Sequence, residues 1–342
     1  MENLNFLSEL SRRVDNFYQK GILPAYFKAP VFCLWELTTR CDLSCIHCFY
    51  NANRKIENEL NTDEALNIIE QLGKMRVFEV YLIGGEPLLR KDLSILVEKL
   101  RENKIQVGII TNGVQLNRDV AREFAKLKVK WVQVSIDGST PQIHDKIRGL
   151  EGAWEKSIRA IQYLKEENVR TYVSFVPSKI NYRDVGNVIR LCTEMGLEYF
   201  LTDMLVLTGR AALNVDNIGL GAQEYAEFFA LLEGAAETYG EKIIINAPTK
   251  EKETVAVYTK ARAATPNLWC IITPDGFCRL DILIAFTYGN LRKQSLQYIW
   301  DNFIRNGWSR PEIVEFVDKL NLMTDLVKSP YLPYVSDDIH YE

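Results

Sequence analysis

At 342 residues, 47% hydrophobic and 25% charged, the chain can bury a sizeable core, as one large α/β domain with an appendage or as two domains. Its 41 Lys+Arg against 45 Asp+Glu leave a net charge of −4, which excludes a nucleic-acid binder relying on a basic excess; no apolar run reaches the roughly 18 residues of a membrane span. Three histidines (His47, His144, His340) are too few for a His-rich metal site, and the polar N-terminus does not read as a signal peptide, so a cytoplasmic location is expected.

Residues 1–30 read as a helical preamble. Apolar runs at 31–37, 77–83, 105–111, 130–136, 170–176 and 199–206 then alternate with amphipathic stretches at 62–75, 91–103, 118–127, 152–168 and 182–195. The first helix has Thr62 as its expected N-cap, acids Asp63 and Glu64 in the first turn, and Ala65, Ile69, Leu72 and Met75 at helical spacing. Such β/α units imply a parallel sheet. The first four strands each end in polar or glycine-rich residues, which favours a partial (β/α)6 TIM-type barrel over a doubly wound sheet, and neither G-x-G-x-x-G nor a P-loop is present.

From about 215 the pattern changes. A helix at 221–239, a short strand at 242–246 and a helix near 250–262 precede a hairpin signal at Pro274-Asp275-Gly276. Helices near 294–305 and 311–324 and an irregular tail follow. The expected division is preamble 1–30, barrel 31–240 and α+β cap 241–342.

The odd number of cysteines, seven, argues against a disulfide framework. Three cluster in Cys41-Asp-Leu-Ser-Cys45-Ile-His-Cys48. Clustered thiolates point to zinc or an iron–sulfur cluster. Structural zinc takes four ligands, and His47, adjacent to Cys48, is a poor fourth. A [4Fe–4S] cluster on three thiolates instead leaves one iron open to a ligand. The iron–sulfur reading is preferred, with zinc and buried core thiols as alternatives.

C-x3-C-x2-C after the first strand, Gly84-Gly85-Glu86-Pro87 after the second, Thr111-Asn112-Gly113 after the third and Ser135-Ile136-Asp137-Gly138 after the fourth resemble the radical S-adenosylmethionine (AdoMet) enzymes. Trp35-Glu36-Leu37-Thr38 and His144-Asp145-Lys146-Ile147-Arg148-Gly149 are similar to the peptide-modifying branch, which includes the mycofactocin, pyrroloquinoline quinone and anaerobic sulfatase maturases. The resemblance covers 30–210 and, more weakly, 265–305. It implies that Cys41, Cys45 and Cys48 hold a [4Fe–4S] cluster whose open iron chelates AdoMet. By the same resemblance Glu86 faces the AdoMet ammonium, Gly84 and Gly85 let the backbone approach, Ser135 meets the ribose, Arg148 the carboxylate or ribose, Asn112 the same rim, and Leu205 the adenine. The activity implied is hydrogen abstraction by a 5′-deoxyadenosyl radical from a ribosomally made peptide, with crosslinking, excision or epimerisation as outcomes.

The C-terminal region resembles a SPASM/twitch-like cap stripped of most of its cysteines: Asp281 stands roughly where that family has a cysteine, and only Cys270 and Cys278 remain there. An auxiliary cluster is therefore not expected, and the two thiols are read as packing residues or as hydrogen donors to a substrate radical. Cys33 and Cys192 read as core residues. Residues 1–30 are too short for a leader-binding winged helix, so a separate small leader-peptide-binding protein is expected, with a flavodoxin- or ferredoxin-type electron donor. Alternatives are the same chemistry on a small-molecule cofactor precursor or sugar, or a non-catalytic metal-binding protein.

Overall fold

The computed structural model describes residues 20–21, 24, 26–248, 266–320 and 323–341. Most of the expected preamble (1–19) and the helix expected near 250–262 lie outside the described residues, and 26–31 run without helix. The alternation read from the sequence forms β1 (Phe32–Glu36), α1 (Thr62–Lys74), β2 (Glu79–Ile83), α2 (Leu93–Glu102), β3 (Gln106–Thr111), α3 (Arg118–Lys126) and β4 (Trp131–Ser135). It continues through α4 (Pro141–Arg148), α5 (Ala153–Glu166), β5 (Thr171–Phe175), α6 (Val185–Glu194), β6 (Tyr199–Thr202), α7 (Ala222–Tyr239) and β7 (Ile244–Asn246).

Two local readings change. The N-cap of α1 is Asn61, not Thr62: the Asn61 side chain accepts from the Glu64 N–H while the Glu64 carboxylate accepts from the Asn61 N–H. Thr62 Oγ1 instead donates to Asp92 at 2.8 Å. Helix α4 has no counterpart in the sequence reading; Pro141 starts it, left-handed Gly149 (φ 72°) ends it, and its eight residues are too few for a periodic signal.

One sheet runs β11-β10-β9-β8-β1-β2-β3-β4-β5-β6-β7, parallel from β8 through β1 to β7. It does not close, since β7 and β11 are its two ends. The C-terminal strands β8 (Trp269–Ile272), β9 (Phe277–Arg279) and β10 (Phe286–Asn290) extend this sheet rather than forming a separate layer, and α8 (Leu296–Ile299) and α9 (Pro311–Asp318) follow. The tail expected to be irregular ends in β11 (Ile339–Tyr341), parallel to β10 and anchored by a Phe277–His340 ring stack at 4.1 Å.

Alternate residues on each strand separate two faces. Cys33, Trp35, Val80, Leu82, Val107, Ile109, Val132 and Val134 are fully buried and share one core with Ile69 and Leu72 of α1, Leu96 of α2, Phe124 of α3 and Ile161 of α5. At about 1.5–3 kcal/mol per large apolar side chain, this helix-covered face supplies most of the folding drive. The other face carries an aromatic ladder across six strands: Trp269, Phe32, Tyr81, Trp131, Tyr172 and Tyr199, with neighbouring ring centroids 4.8–6.0 Å apart. Gly108 on β3 leaves the space that the Trp131 indole fills. Buried Glu79 accepts from Trp131 Nε1 at 2.7 Å and pairs with Lys130 at 2.8 Å.

Candidate functional site

The polar punctuation after β1 to β4 converges on one end of the sheet, around the loop between β1 and α1. That loop holds the three clustered cysteines, and its course is fixed by bonds within the loop and by two partners outside it. Thr38 and Thr39 donate to Glu59, Cys41 N–H donates to Asn53 Oδ1 at 2.9 Å, and Ile46 N–H donates to the Ile147 carbonyl of α4. Arg210 donates to the carbonyls of Cys45 and Ala52, and its N–H to that of Cys48.

Cys45 is 8% exposed, and Cys41 and Cys48 are half-buried. Burial pushes the Cys41 thiol up to about 12, and burial also raises Cys45 against the opposing pull of Arg148. Such thiols ionise only with a cation beside them, which a metal cluster supplies. N–H donors already aim at the sulfurs: Leu43 N at 3.4 Å and Asn112 Nδ2 at 3.9 Å from Cys41 Sγ, and Arg148 Nη1 at 3.8 Å from Cys45 Sγ. Among the described residues no three His, Cys, Asp or Glu side chains converge on one ion. In a polynuclear cluster each thiolate binds a different iron, so the three sulfurs need not meet at one point.

The glycine pair serves the loop's backbone. Gly85 N–H donates to the Thr38 carbonyl at 2.7 Å and Glu86 N–H to that of Arg40 at 2.8 Å. A Cβ on Gly84 would lie 2.5 Å from the Thr38 carbonyl oxygen, and one on Gly85 would overlap the Arg40 carbonyl. The close approach read from the sequence is thus made here to residues 38–40. Gly85→Ala is expected to cost about 1–3 kcal/mol by overpacking against backbone and to lower iron retention by the loop, read as melting temperature and iron per chain; unchanged values for both would contradict this.

Glu86 is fully buried, accepting from Thr111 Oγ1 at 2.8 Å and the N–H groups of Leu88 and Asn112. Burial lifts its carboxyl to about 7 despite those bonds, so a cation placed beside it would be welcomed. Asn112, 7% exposed, bonds Asp42 Oδ1 at 2.7 Å and so reaches the cysteine loop directly. Ser135 ends β4 beside Ser174, half-buried on the open face. Leu205 is 1% exposed and packs in a small cluster with Leu207, Ala211 and Ile46 of the cysteine loop.

Arg148 occupies a different setting from a free carboxylate receptor. Its Nη2 pairs with Asp137 Oδ2 at 2.6 Å, and His47 Nε2 reaches the same oxygen at 3.0 Å. Asp137 Oδ1 accepts from Val176 N–H, and Asp137 N–H donates to His144 Nδ1 at 3.1 Å. Asp137, fully buried, is held well below the usual carboxylate range despite its desolvation, by Arg148 first and then His47. This buried group clamps the cysteine loop, through His47, onto β4 and α4. The sequence reading weighed His47 only as a zinc ligand and gave Asp137 no role, although both lie inside motifs it quoted.

Cys270 and Cys278 lie away from this end. Cys270 pairs in register with Cys33, and Cys278 with Ile272, so all three thiols face the helix-covered core at 0% exposure. Neither stands on the open face where a hydrogen donor to a substrate would be placed. Asp281 accepts from Leu283 N–H at 3.0 Å. Cys33 and Cys192 sit in the core as read.

The family model described as the radical SAM superfamily matches residues 35–192. The chain is 33% identical to the Fe-coproporphyrin III synthase of Methanosarcina barkeri over 190 residues, 55% of this chain and 47% of that protein, so it spans about half that relative's length. It is 30% identical to the mycofactocin maturase MftC of Mycolicibacterium smegmatis over 291 residues, 83% of this chain and 71% of the other. Among solved structures, Streptococcus suis SuiB bound to S-adenosylmethionine superposes with a TM-score of 0.69 at 19% identity, over 89% of this chain and 72% of that one, which shows a shared partial-barrel fold. With the cysteine loop, the glycine turn and the strand-end carboxylate built at the same end of such a sheet, the chain belongs to the radical SAM superfamily.

Proposed function

We propose that this enzyme uses the cluster on Cys41, Cys45 and Cys48 to act on a ribosomally made peptide, abstracting hydrogen from an α- or β-carbon. The observation that carries the peptide reading is the 30% identity, along most of both chains, to a mycofactocin maturase, one of the enzymes that the peptide-modifying motifs resemble. SuiB, whose fold this chain shares, has been solved with its precursor peptide SuiA. When bound, the cluster and AdoMet supply reductive cleavage to a 5′-deoxyadenosyl radical.

The chain's own residues do the rest. Glu86 and Asn112 would receive AdoMet beside Cys41, Leu205 would back the adenine, and Ser135 would meet the ribose. Arg148 would act from its pair with Asp137, as a donor to the Cys45 sulfur and toward the AdoMet carboxylate. A substrate would enter the open face at the end of the sheet that carries the cysteine loop, while the aromatic ladder, at the starts of the strands, lines the far end of that face. A separate leader-binding protein would present the peptide, and a flavodoxin- or ferredoxin-type protein would supply the electron.

The test is anaerobic incubation with dithionite and AdoMet, with and without the candidate precursor peptide. Formation of 5′-deoxyadenosine together with a mass change in the peptide, or with α-deuterium taken up from D2O where the product is an epimer, is the expected result; 5′-deoxyadenosine with every peptide unchanged by both measures would remove the peptide reading. The second reading, a small-molecule cofactor precursor as substrate, is favoured by the 33% identity to a coproporphyrin-handling synthase. Turnover of such a precursor by the isolated chain, with peptides untouched, would establish it.

A further inference from the structure

On the open face, beside the cysteine loop, lies a buried polar recess with no assigned role. Arg279 of β9 pairs in register with Ile271, which pairs with Leu34, so Arg279 points to the same side as Leu34 and Glu36. Both Arg279 and Glu36 are 0% exposed. Tyr334 of the C-terminal tail enters this recess. Its hydroxyl donates to Glu36 Oε1 at 2.6 Å, its ring lies between the guanidiniums of Arg279 (4.3 Å) and Arg54 (4.9 Å), and it packs against Tyr50 at 5.2 Å. Asp338, four residues on, pairs with Arg279 Nη2. Tyr50 and Tyr334 also pack on Cys41 and Cys48, which places the recess against the cluster loop.

The recess is incompletely satisfied. Arg279 Nε and Nη1, Glu36 Oε2, the Tyr50 hydroxyl and Asp338 Oδ1 have no hydrogen-bond partner among the described residues. Each such buried atom costs about 1–3 kcal/mol, so several in one place mark a spot where a further polar group would be stabilising. The charges say what kind of group. With the tail in place, two guanidiniums (Arg54, Arg279) face two carboxylates (Glu36, Asp338); with Asp338 withdrawn, one positive charge is unbalanced. A guanidinium fork with free N–H groups matches a carboxylate in two-point contact.

The tail is held by ring contacts of Tyr331, His340 and Tyr341 with Phe286, Phe277 and Tyr288, and by single bonds such as Asn51 Nδ2 to the Tyr334 carbonyl and Gly209 N–H to that of Pro333. Its backbone pairing is short, since β11 is three residues long at the sheet edge, and Tyr334 has a left-handed backbone (φ 63°).

We propose that this recess is a carboxylate-binding site for the substrate, with Arg279 as its receptor, and that Asp338 of the chain's own tail occupies it in this conformation. The proposal rests on the reading above that substrate approaches the open face beside the cysteine loop. It goes beyond that reading by naming the group recognised and the segment that must leave.

The test is binding to the cluster-loaded full chain, without turnover, so it can fail or succeed independently of 5′-deoxyadenosine formation. The probes are 4-hydroxyphenylpropionate and its primary amide, which differ in charge but hardly in shape, titrated by calorimetry. Asp338→Ala is expected to bind the acid at least tenfold more tightly than the wild-type chain, with no gain for the amide, and Arg279→Gln in that background to abolish the gain. In the wild-type chain, saturating acid is expected to raise hydrogen exchange in residues 331–341. Equal affinity of wild type and Asp338→Ala for the acid, a gain shared by the amide, or a gain that survives Arg279→Gln would overturn it. So would unchanged exchange in the tail, a measurement that holds even if the variants fold poorly.

Discussion

Replacing Cys41, Cys45 and Cys48 together by alanine is expected to remove all iron and acid-labile sulfide, whereas the reconstituted wild-type chain should hold about four of each, as one [4Fe–4S] unit supplies. 5′-Deoxyadenosine formation should vanish with the iron. The expectation of zero residual iron depends on the other cysteines. Cys33, Cys270 and Cys278 are neighbours across β1, β8 and β9, but all three sit at 0% exposure in the core shared by Trp35, Ile69 and Trp300. A second cluster there would have to displace close-packed side chains, at several kcal/mol for the lost burial. About four irons remaining in the triple variant would show that this thiol trio holds a cluster after all, and would give oxidative crosslinking the electron acceptor it otherwise lacks. Iron and sulfide per chain, measured on both proteins after anaerobic reconstitution, decide between these outcomes.

The first six strands and, apart from α4, the helices between them were legible because each has a strong local period: β1 through β5 were placed within two residues at their starts and one at their ends. The last of the six was read through to 206 but ends at Thr202, since apolar residues after 202 pack under the cysteine loop without joining the ladder. What the sequence hid was pairing at a distance. Nothing local says that Cys33 lies beside Cys270, or that a tail of Pro, Tyr and Asp forms an edge strand and reaches Glu36. At the site, residue types in ordered motifs identified the cluster loop and Glu86. The same motifs did not reveal that Arg148 is already engaged by Asp137, because an ion pair between a residue just past a strand and the close of a helix eleven residues on leaves no periodic trace.

The buried clamp makes the fold acid-sensitive in a predictable window. His144 is 1% exposed; burial first and the Arg148 guanidinium second hold its imidazole down to about 4 from 6.5, against the opposing pull of Asp137 and Asp145, while His47 adds to the lowering. Between those two values the unfolded chain binds one more proton than the folded chain, so stability falls as pH drops from about 6.5 to 4. The difference corresponds to about 3 kcal/mol, a large share of a domain's net stability. Asp137 works in the same direction at lower pH: its folded value lies below its unfolded one, so its stabilisation is present above about 4 and is lost on further acidification. His144→Asn keeps an acceptor for the Asp137 N–H but cannot titrate. That variant is expected to be less stable than wild type at pH 7, by about 1–2 kcal/mol for the lost ring packing, yet to lose about 3 kcal/mol less than wild type between pH 7 and 4. Urea midpoints measured anaerobically across that range on the two proteins, both in the cluster-free state, read this directly. Parallel curves would show that His144 is protonated alike in both states and that the clamp is held by the Asp137–Arg148 pair alone.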